Sequence, residues 1–552
     1  MKRRNFLKIF PSLGVTPFVV NGLPMRPFAN SKLARIMSTC DGVEDRVLVL
    51  IQLNGGNDGL NTIIPVEQYD LYANLRPSIK IPNSGTDKYI DLDNTLAGPD
   101  RVGLHPAMIA MKQMYDDGRA GIVQAAGYTS MNQSHFKGTD LWLTGGDGTA
   151  VNNNIPSGWM GRSLQAMYPD VLGAPTNNNP DPLGIQLGNA NPSLGFHTET
   201  EHQNVINLSG QDAAGFYSLI QTIGGMPVTN IPDSDYGHEI EYIMGVELST
   251  NLYAQRISAT FNAGSNSSVA YTNTTLSSQL KTVARLIKGG CKTKIYLCNM
   301  GGFDTHGDQI TEGVTTTGNH ANLLQQLSEA TRFFFDDLKN LGLDDQVVAC
   351  TFSEFGRCAH ENGSFGTDHG TLAPMFLFGK NIKAGVAGTN VNLANLTNDN
   401  QLQGVQNDYR QVFATLLQDW LGANSFVLEQ AMFEGYAKLP VVDAAAVAGP
   451  ECYIGSTTSV WDVYQGQRPL TVFPNPARIT AEVGYESKIA FDARLTLHSL
   501  GGSIISSVSA RVVSGSNSFL LDVVTLPSGN YFVRLENKNT GTAEVIKLSV
   551  AR

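Results

Sequence analysis

The chain has 552 residues, more than an ordinary single domain, so at least two folded units are predicted. Hydrophobic residues make up 42% of the chain and charged residues only 16%, which fits a neutral, loop-rich exported surface. The net charge of −11 and the lack of a basic patch exclude nucleic acid and an anionic membrane as expected partners.

The N-terminus has the pattern of an export signal. A basic head at residues 1–8 precedes a weakly apolar run at residues 9–20, which is too short to span a bilayer. The RRNFLK motif at residues 3–8 also resembles a twin-arginine signal, with an ordinary Sec signal as the alternative. We therefore expect residues 1–30 to be an export signal and predict no transmembrane span elsewhere.

Apolar runs of strand length alternate with helical patterns over the next 400 residues or so. Residues 46–53, RVLVLIQL, form a continuous apolar run that is typical of a strand buried on both faces of a parallel sheet. The pattern repeats in a predicted series of helix 106–117, strand 120–126, a helix from about 135, strand 293–300, helix 319–341, strands 346–352 and 374–378, and helix 408–421. This alternation predicts an α/β domain over residues 40–440.

The C-terminal part of the chain has a different character. Residues 441–469 are linker-like, with scattered proline and glycine. Residues 470–552 contain short alternating strands separated by turn-forming residues such as Gly-Gly and Pro-Ser-Gly. This pattern predicts a small antiparallel β-sandwich.

The six cysteines show neither CxxC nor zinc-finger spacing; they are Cys40, Cys291, Cys298, Cys350, Cys358 and Cys452. In an oxidising compartment they allow up to three disulfides, and buried free thiols are an equal alternative. No pairing follows from the sequence.

Polar, glycine-flanked clusters accompany the strand runs of the α/β domain. Three clusters follow strands and a fourth lies in the loop before a strand: Asn57 and Asp58, Asp304 and His306, Ser353 and Glu354, and Asp368 and His369. If the strands are parallel, these side chains converge at one edge of the sheet, where ligands bind in open α/β sheets.

Acids and histidines in such a group favour divalent metal ions. Zinc and manganese take these ligands, and crowded carboxylates repel one another without a cation between them. The sequence predicts one or two ions, zinc or manganese, held by Asp58, Asp304, His306, Glu354, Asp368 and His369.

Each motif also has a structural alternative. Asp58 and the GTDHG segment at residues 366–370 have turn chemistry, and Glu354 has a nearby salt-bridge partner in Arg357. Asp304 and His306 would form a loop hydrogen-bond pair. His320 is a weaker ligand candidate that would otherwise cap the start of its helix.

A nucleophile is expected if hydrolysis proceeds through a covalent intermediate. Ser134 follows the strand at 120–126 and precedes a predicted helix, where backbone N–H groups favour an anion. Thr129 and Ser130 are weaker candidates, and a helix N-cap is the alternative role of Ser134. We assign the remaining polar neighbours, Asn57, His135 and Arg357, to substrate binding.

Several motifs resemble the exported bacterial family known as domain of unknown function 1501. They are LVLIQLNGGNDGLNTIIP, LHPAM, SHFKGTDLWLTG, SGWMGRSL, GGFDTHGDQ, SEFGRCAHENGSFGTDHG and DYRQVFATLLQDWLG, which span about residues 47–422. The resemblance implies a relation to the alkaline phosphatase and sulfatase superfamily. It also implies an α/β/α sandwich with a two-metal site that hydrolyses phosphate or sulfate esters.

The same resemblance assigns roles by chain order. Asp58 would be the first aspartate ligand, Ser134 the nucleophile, Asp304 and His306 ligands of one metal, and His369 with Asp368 the rest of the site. Ser353 and Glu354 stand where alkaline phosphatases carry an adjacent Asp-His pair. This departure keeps a second interpretation open, a non-catalytic binding protein of the cell surface on a phosphatase-like scaffold.

The tail resembles the type A sorting domain of the type IX secretion system of Bacteroidetes. The matching segments are FPNP at residues 473–476 and LPSGNYFV at residues 526–533. The resemblance implies export and sorting machinery as partners, transit through the periplasm, and a final location at the cell surface or outside the cell. A carbohydrate-binding or adhesive module is the alternative.

Overall fold

The computed structural model describes residues 18–20, 23–25, 43–96, 98–150, 152–169, 171, 175, 179–189, 193–198, 205–208, 253–449, 453–454, 470–473, 475, 477–487, 489–499, 504–538 and 543–550. The chain divides into two compact units, Met1–Thr457 and Thr458–Arg552. The twin-arginine motif, Cys40, Cys452 and most of the predicted signal lie outside the described residues. Within residues 1–30, only β1 (Phe18–Val20) and β2 (Leu23–Met25) are described, as an antiparallel pair.

Most strands of the first unit belong to one nine-stranded sheet, and three form a small antiparallel sheet of their own, in the order β4-β6-β5. In chain order the strands are β3 (Val47–Leu53), β4 (Ile63–Pro65), β5 (Ile90–Asp91), β6 (Val102–Leu104), β7 (Ala120–Gly127), β8 (Gly184–Leu187), β9 (Val205–Leu208), β10 (Ile295–Met300), β11 (Val347–Phe352), β12 (Ala373–Phe378), β13 (Gly385–Ala387) and β14 (Asn407–Asp408).

The large sheet has the order β13-β7-β12-β11-β3-β10-β8-β9, and β14 pairs with β7. Its pairings are parallel except at β12, which runs antiparallel to both β11 and β7. Because β12 is reversed, the loop before it lies at the same sheet edge as the carboxyl ends of the other strands. The predicted cluster before this strand therefore reaches the same edge as the clusters that follow strands.

Helices cover both faces of the sheet. They are α1 (Gly59–Thr62), α2 (Tyr69–Leu75), α3 (Ile109–Asp116), α4 (His135–Thr144), α5 (Trp159–Met167), α6 (Thr275–Lys288), α7 (Asn319–Leu341), α8 (Tyr409–Thr415) and α9 (Ser425–Gln430), and residues 253–263 are also helical. Among the described helices, none has both the length and the apolar character that crossing a membrane requires.

The alternation of buried side chains along β3 explains this three-layer arrangement. Val49 and Ile51 pack into the core shared with α3, α6 and α7, whereas Leu48 and Leu50 pack into the core shared with α4, α5 and α8. All four are fully buried, and burying a side chain of this size stabilises the fold by about 1.5–3 kcal/mol. The predicted α/β/α sandwich is confirmed.

The second unit contains two antiparallel sheets around a core of its own. Its strands are β15 (Leu470–Phe473), β16 (Thr480–Ser487), β17 (Phe491–Ser499), β18 (Ile504–Val512), β19 (Gly515–Asp522), β20 (Gly529–Asn537) and β21 (Ala543–Val550). One sheet has the order β15-β16-β19 and the other β18-β17-β20-β21. This is the small β-sandwich that the sequence predicts.

Four cysteines of the first unit, Cys291, Cys298, Cys350 and Cys358, are buried free thiols. Burial raises the pKa of each thiol, so all four are protonated at neutral pH.

Candidate active site

The loop after β3 packs directly against the loops that carry the site. Gly55 and Gly56 have φ angles of 122° and 81°, which favour glycine. A Cβ on Gly55 would lie 2.1 Å from the backbone nitrogen of Asp304, and one on Gly56 would lie 2.4 Å from the ring of Phe355. Gly55 therefore allows its loop to meet the backbone of the loop after β10, and Gly56 leaves room for the ring of Phe355.

A short antiparallel pairing joins the segment after β11 to the loop before β12. Arg357 and His369 are partners in this pairing. The amide of Cys358 donates to the carbonyl of Asp368 at 2.9 Å, and the amide of Gly370 donates to the carbonyl of Gly356 at 2.9 Å. The segment that follows Glu354 and the loop that contains His369 are thereby fixed side by side.

Three side chains from separate parts of the chain form a compact group at this edge. His135 is the first residue of α4, Asp304 follows β10, and His369 precedes β12. Their ligand atoms all lie within 4.8 Å of one another. Among the described residues, this is the group of acids and histidines arranged closely enough to hold a metal ion.

Hydrogen bonds set the orientation of the two histidines in this group. Nδ1 of His369 lies 2.7 Å from the carbonyl oxygen of Gln133, and Nδ1 of His135 lies 2.9 Å from Oε1 of Glu354. Both partners accept hydrogen bonds, so we assign the imidazole protons to Nδ1. Each Nε2 then carries a lone pair directed toward Asp304, at 3.7 Å for His369 and 3.4 Å for His135.

His306 has the same arrangement. Its Nδ1 lies 3.1 Å from Oδ1 of Asp368, and its Nε2 lies 3.3 Å from Oδ1 of Asp304. Asn362 donates from its side-chain amide to the carbonyl oxygen of His306 at 2.8 Å and to Asp368 at 3.1 Å, which fixes the pair. Three Nε2 atoms therefore surround one carboxylate, and lone pairs in such contact with an anion repel it unless a proton or cation lies between them.

The charge states suit a cation. Burial alone would raise the pKa of Asp304, but the hydrogen bond and charge of Arg357, together with His135 and His306, lower it overall. Burial lowers the pKa of His369, only partly offset by its bond to Gln133. The carboxylate is thus ionised and His369 neutral near pH 7, as metal ligands must be. The Nε2 of His369 is buried and has no hydrogen-bond partner among the described residues.

Arg357 is a buried side chain that links the loops around Asp304. Its side chain is inaccessible to solvent, and Nη2 lies 2.7 Å from Oδ1 of Asp304. The other guanidinium contacts go to backbone carbonyls, namely those of Gly55, Gly56, Phe303 and Thr367. We predict from the sequence that Arg357 binds substrate; the structure instead places all of its donors against the protein.

Glu354 is also buried and contacts the site through His135. Its Oε1 accepts from the amide of Gly55 at 2.8 Å in addition to facing Nδ1 of His135. Ser353 next to it donates to the carbonyl of Leu53 at 2.6 Å. Glu354 is predicted to be a direct ligand. In the structure it contacts Nδ1 of His135, the ring nitrogen that does not face Asp304.

Asp58 does not join the group around Asp304. Its carboxylate is fully buried and lies 2.7 Å from Nη1 of Arg76, whose side chain is equally buried. Gln309 donates to the same oxygen, Oδ2, at 2.6 Å. Burial would raise the pKa of Asp58, but Arg76 and the nearby His320 lower it. Its negative charge is balanced inside the protein.

Asn57 and His320 lie beside that ion pair. Nε2 of His320 is 3.2 Å from Oδ1 of Asn57, which also accepts from the hydroxyl of Thr62 at 3.0 Å. Both side chains are buried, and burial lowers the pKa of His320 to about 4. These contacts place Asn57 and His320 in the interior rather than at an open substrate surface.

Ser134 lies at the N-cap position of α4, and its side chain makes no capping hydrogen bond. The residue is exposed. Its neighbours on both sides reach the site, Gln133 through the carbonyl that contacts His369 and His135 through its ring. The serine is thus placed between two residues of the site.

Some functional residues have weak sequence signals. His135 is predicted to bind substrate, yet its ring joins the group that could hold a metal ion; the available signal was a histidine that begins a helix just beyond a strand. Arg76 and Gln309 have no motif that announces their contact with Asp58, because both partners come from distant loops.

Comparison with known proteins agrees with the two-part organisation. The model of the family described as protein of unknown function (DUF1501) matches residues 45–423, and the model of the secretion system C-terminal sorting domain matches residues 471–549. No curated protein matches the chain. The sorting domain directs the chain through type IX secretion to the cell surface or the extracellular space, as predicted.

Solved structures give distant likenesses. An alkaline phosphatase superfamily protein from Vibrio parahaemolyticus is 10% identical, with 100% of this chain and 92% of that chain covered and a TM-score of 0.28. The PsFucS1 sulfatase from Pseudoalteromonas sp. is 9% identical, with 91% and 89% covered and a TM-score of 0.32. PorZ, a surface component of the type-IX secretion system of Porphyromonas gingivalis, is 14% identical; 18% of this chain and 13% of PorZ are covered, with a TM-score of 0.13.

Proposed function

The chain belongs to the DUF1501 family of proteins of unknown function, and from this premise we propose that it is an exported metal-dependent hydrolase of phosphate or sulfate esters. The single observation that supports the proposal most is the group formed by His135, Asp304 and His369, with ligand atoms within 4.8 Å of one another.

The donor set fits a zinc or manganese ion. Imidazole nitrogens and a carboxylate are ligands that both metals accept. The Nδ1 atoms of His135 and His369 face hydrogen-bond acceptors, so each Nε2 keeps a lone pair that can bind a metal ion. Partners of this kind orient metal-binding histidines in known metal sites. A divalent cation held there would act as a Lewis acid on an ester oxygen.

Ser134 is the proposed nucleophile. As its Oγ forms a bond to phosphorus or sulfur, the bond to the alcohol oxygen of the substrate breaks, and that oxygen takes up the proton that the serine loses. Water then hydrolyses the serine ester. The net reaction consumes one water and restores the hydroxyl. Developing negative charge on the transferred group would face the free N–H groups at the start of α4, which favour an anion.

A direct test combines metal analysis with an ester assay. Purified protein is dialysed against zinc, manganese or calcium, its metal content is measured, and turnover of an aryl phosphate and an aryl sulfate is followed. We expect bound metal and turnover that Asp304→Ala and His369→Ala both abolish. Protein without metal, or turnover that survives both substitutions, would remove the proposal.

A non-catalytic binding protein is the second candidate, and one contact favours it. Nη2 of Arg357 already lies 2.7 Å from Oδ1 of Asp304, so part of the carboxylate charge is balanced without a metal. In that case the folded protein would bind a phosphorylated or sulfated ligand and leave it intact. Mass analysis of the aryl ester after incubation separates binding from turnover.

A further inference from the structure

We infer that the site takes one divalent cation and that the buried guanidinium of Arg357 occupies the position of a second. This inference rests on the proposed metal dependence and goes beyond it, because the superfamily resemblance implies two metals. The inference follows from the positively charged side chains that already contact the carboxylates at this sheet edge.

Asp58, the first aspartate ligand that the resemblance implies, is not available to a cation. Asp58 has no exposed surface, and both of its oxygens lie within 2.8 Å of Nη1 of Arg76. Arg76 also donates to the carbonyls of Ala359 and Cys358, which holds the guanidinium in place. A metal at Asp58 would have to displace a buried cation that five hydrogen bonds fix, the fifth of them to Oδ1 of Asn61.

Asp304 has two differently occupied sides. Oδ1 receives the guanidinium of Arg357 at 2.7 Å, whereas Oδ2 faces Nε2 of His135 at 3.4 Å. Arginine stays charged at every relevant pH, so this positive charge is permanent. The guanidinium is held by four backbone carbonyls and cannot withdraw without opening three loops. Nε2 of His306 and Nε2 of His369 lie 3.3 Å and 3.7 Å from the same Oδ1, so Oδ2 is the oxygen left for one ion.

The charges around the site balance with a single ion. Asp304, Glu354 and Asp368 would contribute three negative charges when ionised, and Arg357 contributes one positive charge. One divalent cation brings the sum to zero. A second would stand next to a guanidinium of the same sign, which electrostatics disfavours.

Glu354 then acts as a positioning residue for the one ion. It reaches the site through Nδ1 of His135 and through the amide of Gly55, and its side chain is 2% exposed. If it were a ligand of a second metal, its loss would change the number of bound ions. If it orients His135, its loss would lower the affinity for the metal ion and leave the number of bound ions unchanged.

The test counts ions on the full chain by mass spectrometry after zinc loading and dialysis, with isothermal titration for affinity. Unaltered protein and Glu354→Gln should each bind one zinc, and the substitution should weaken binding about 10–100-fold, the usual effect of losing a partner of a metal-binding histidine. Asp345→Asn, at an exposed acid that pairs with Lys380, is the control for binding at surface carboxylates. Circular dichroism confirms that each variant is folded.

Each outcome separates the inference from the proposed function. Two zinc ions in the unaltered protein, falling to one in Glu354→Gln, would overturn the single-ion inference and leave metal-dependent hydrolysis standing. One zinc without ester turnover would keep the inference and overturn the hydrolase proposal. No zinc in the unaltered protein would overturn both.

Discussion

Nδ1 of His135 lies 2.9 Å from Oε1 of the buried Glu354, and this contact turns Nε2 of the same ring toward Asp304. A carboxylate behind a histidine holds the ring in one tautomer and raises its basicity as a ligand. The contact joins the start of α4 to the end of β11, so the geometry of the site depends on the packing of the sheet.

Replacing His135 by alanine should remove a ligand. We expect zinc affinity to fall by more than about 100-fold, because losing even an outer partner of such a ligand costs about 10–100-fold. Phe136→Ala, next in the chain at a side chain that is 87% exposed, is the matched control and should bind zinc normally. Equal zinc affinity in the two variants would place the ion elsewhere.

Ser134→Ala separates chemistry from metal binding. Ester turnover should drop by several orders of magnitude, as it does when a nucleophile is removed, while zinc binding stays intact. Since the hydroxyl makes no capping hydrogen bond, the free energy of unfolding should change by less than the usual cost of about 0.5–2 kcal/mol for losing a cap. Full turnover in the variant would transfer the role of nucleophile to water.

The Asp58–Arg76 pair is expected to act on stability. Asp58→Asn leaves a buried guanidinium without its counter-ion, which typically costs about 3–5 kcal/mol in the free energy of unfolding. Asp345→Asn removes an exposed ion pair and should leave the free energy of unfolding almost unchanged. Denaturant titrations measure both. Lost zinc with unchanged stability in Asp58→Asn would identify Asp58 as a ligand instead.

Stability should fall in mild acid because of the buried histidine on α7. Burial lowers the pKa of His320 from 6.5 to about 4, so between these values the unfolded chain binds more protons than the folded one. The free energy of unfolding therefore decreases as the pH falls through this window, by on the order of 3 kcal/mol for this residue.

Replacing His320 by glutamine should flatten that pH dependence, measured as the denaturation midpoint from pH 7 to pH 4. His360→Gln, at an exposed histidine, is the control and should keep the slope of the unaltered protein. Parallel curves for all three proteins would contradict the account.

Gly55→Ala should destabilise the first unit through the loop after β3. Backbone strain at its φ of 122° costs about 1–3 kcal/mol, and overlap with Asp304 adds to it. Gly301→Ala is the matched control, because its added Cβ meets nothing within 4 Å. Its effect should stay within about 0.5 kcal/mol. Similar unfolding midpoints for the two variants would show that the loops do not pack as described.

Much of the fold could be predicted from local sequence patterns. The apolar run at residues 46–53 predicted β3, and the amphipathic stripe over residues 319–341 predicted α7 with its observed bounds. The short strands β8 and β9 and the small sheet of β4, β5 and β6 have only two to four residues each, too few for a clear period, and were not predicted.

The site was predicted in part for a different reason. The sequence indicated that Asp304, His306, Asp368 and His369 would meet, and the structure brings them within contact of one another. It did not indicate that β12 is reversed or that Arg76 neutralises Asp58, because both depend on pairings between distant segments. Burial of a charged side chain is decided by such pairings and leaves no local pattern.

Anomalous X-ray diffraction at the zinc edge from crystals of the zinc-loaded protein tests the central claim most directly. One peak is expected, at about 2.0–2.2 Å from Nε2 of His135, Nε2 of His369 and a carboxylate oxygen of Asp304. Loaded crystals that show no peak between these three residues, or a peak at Asp58, would contradict the account.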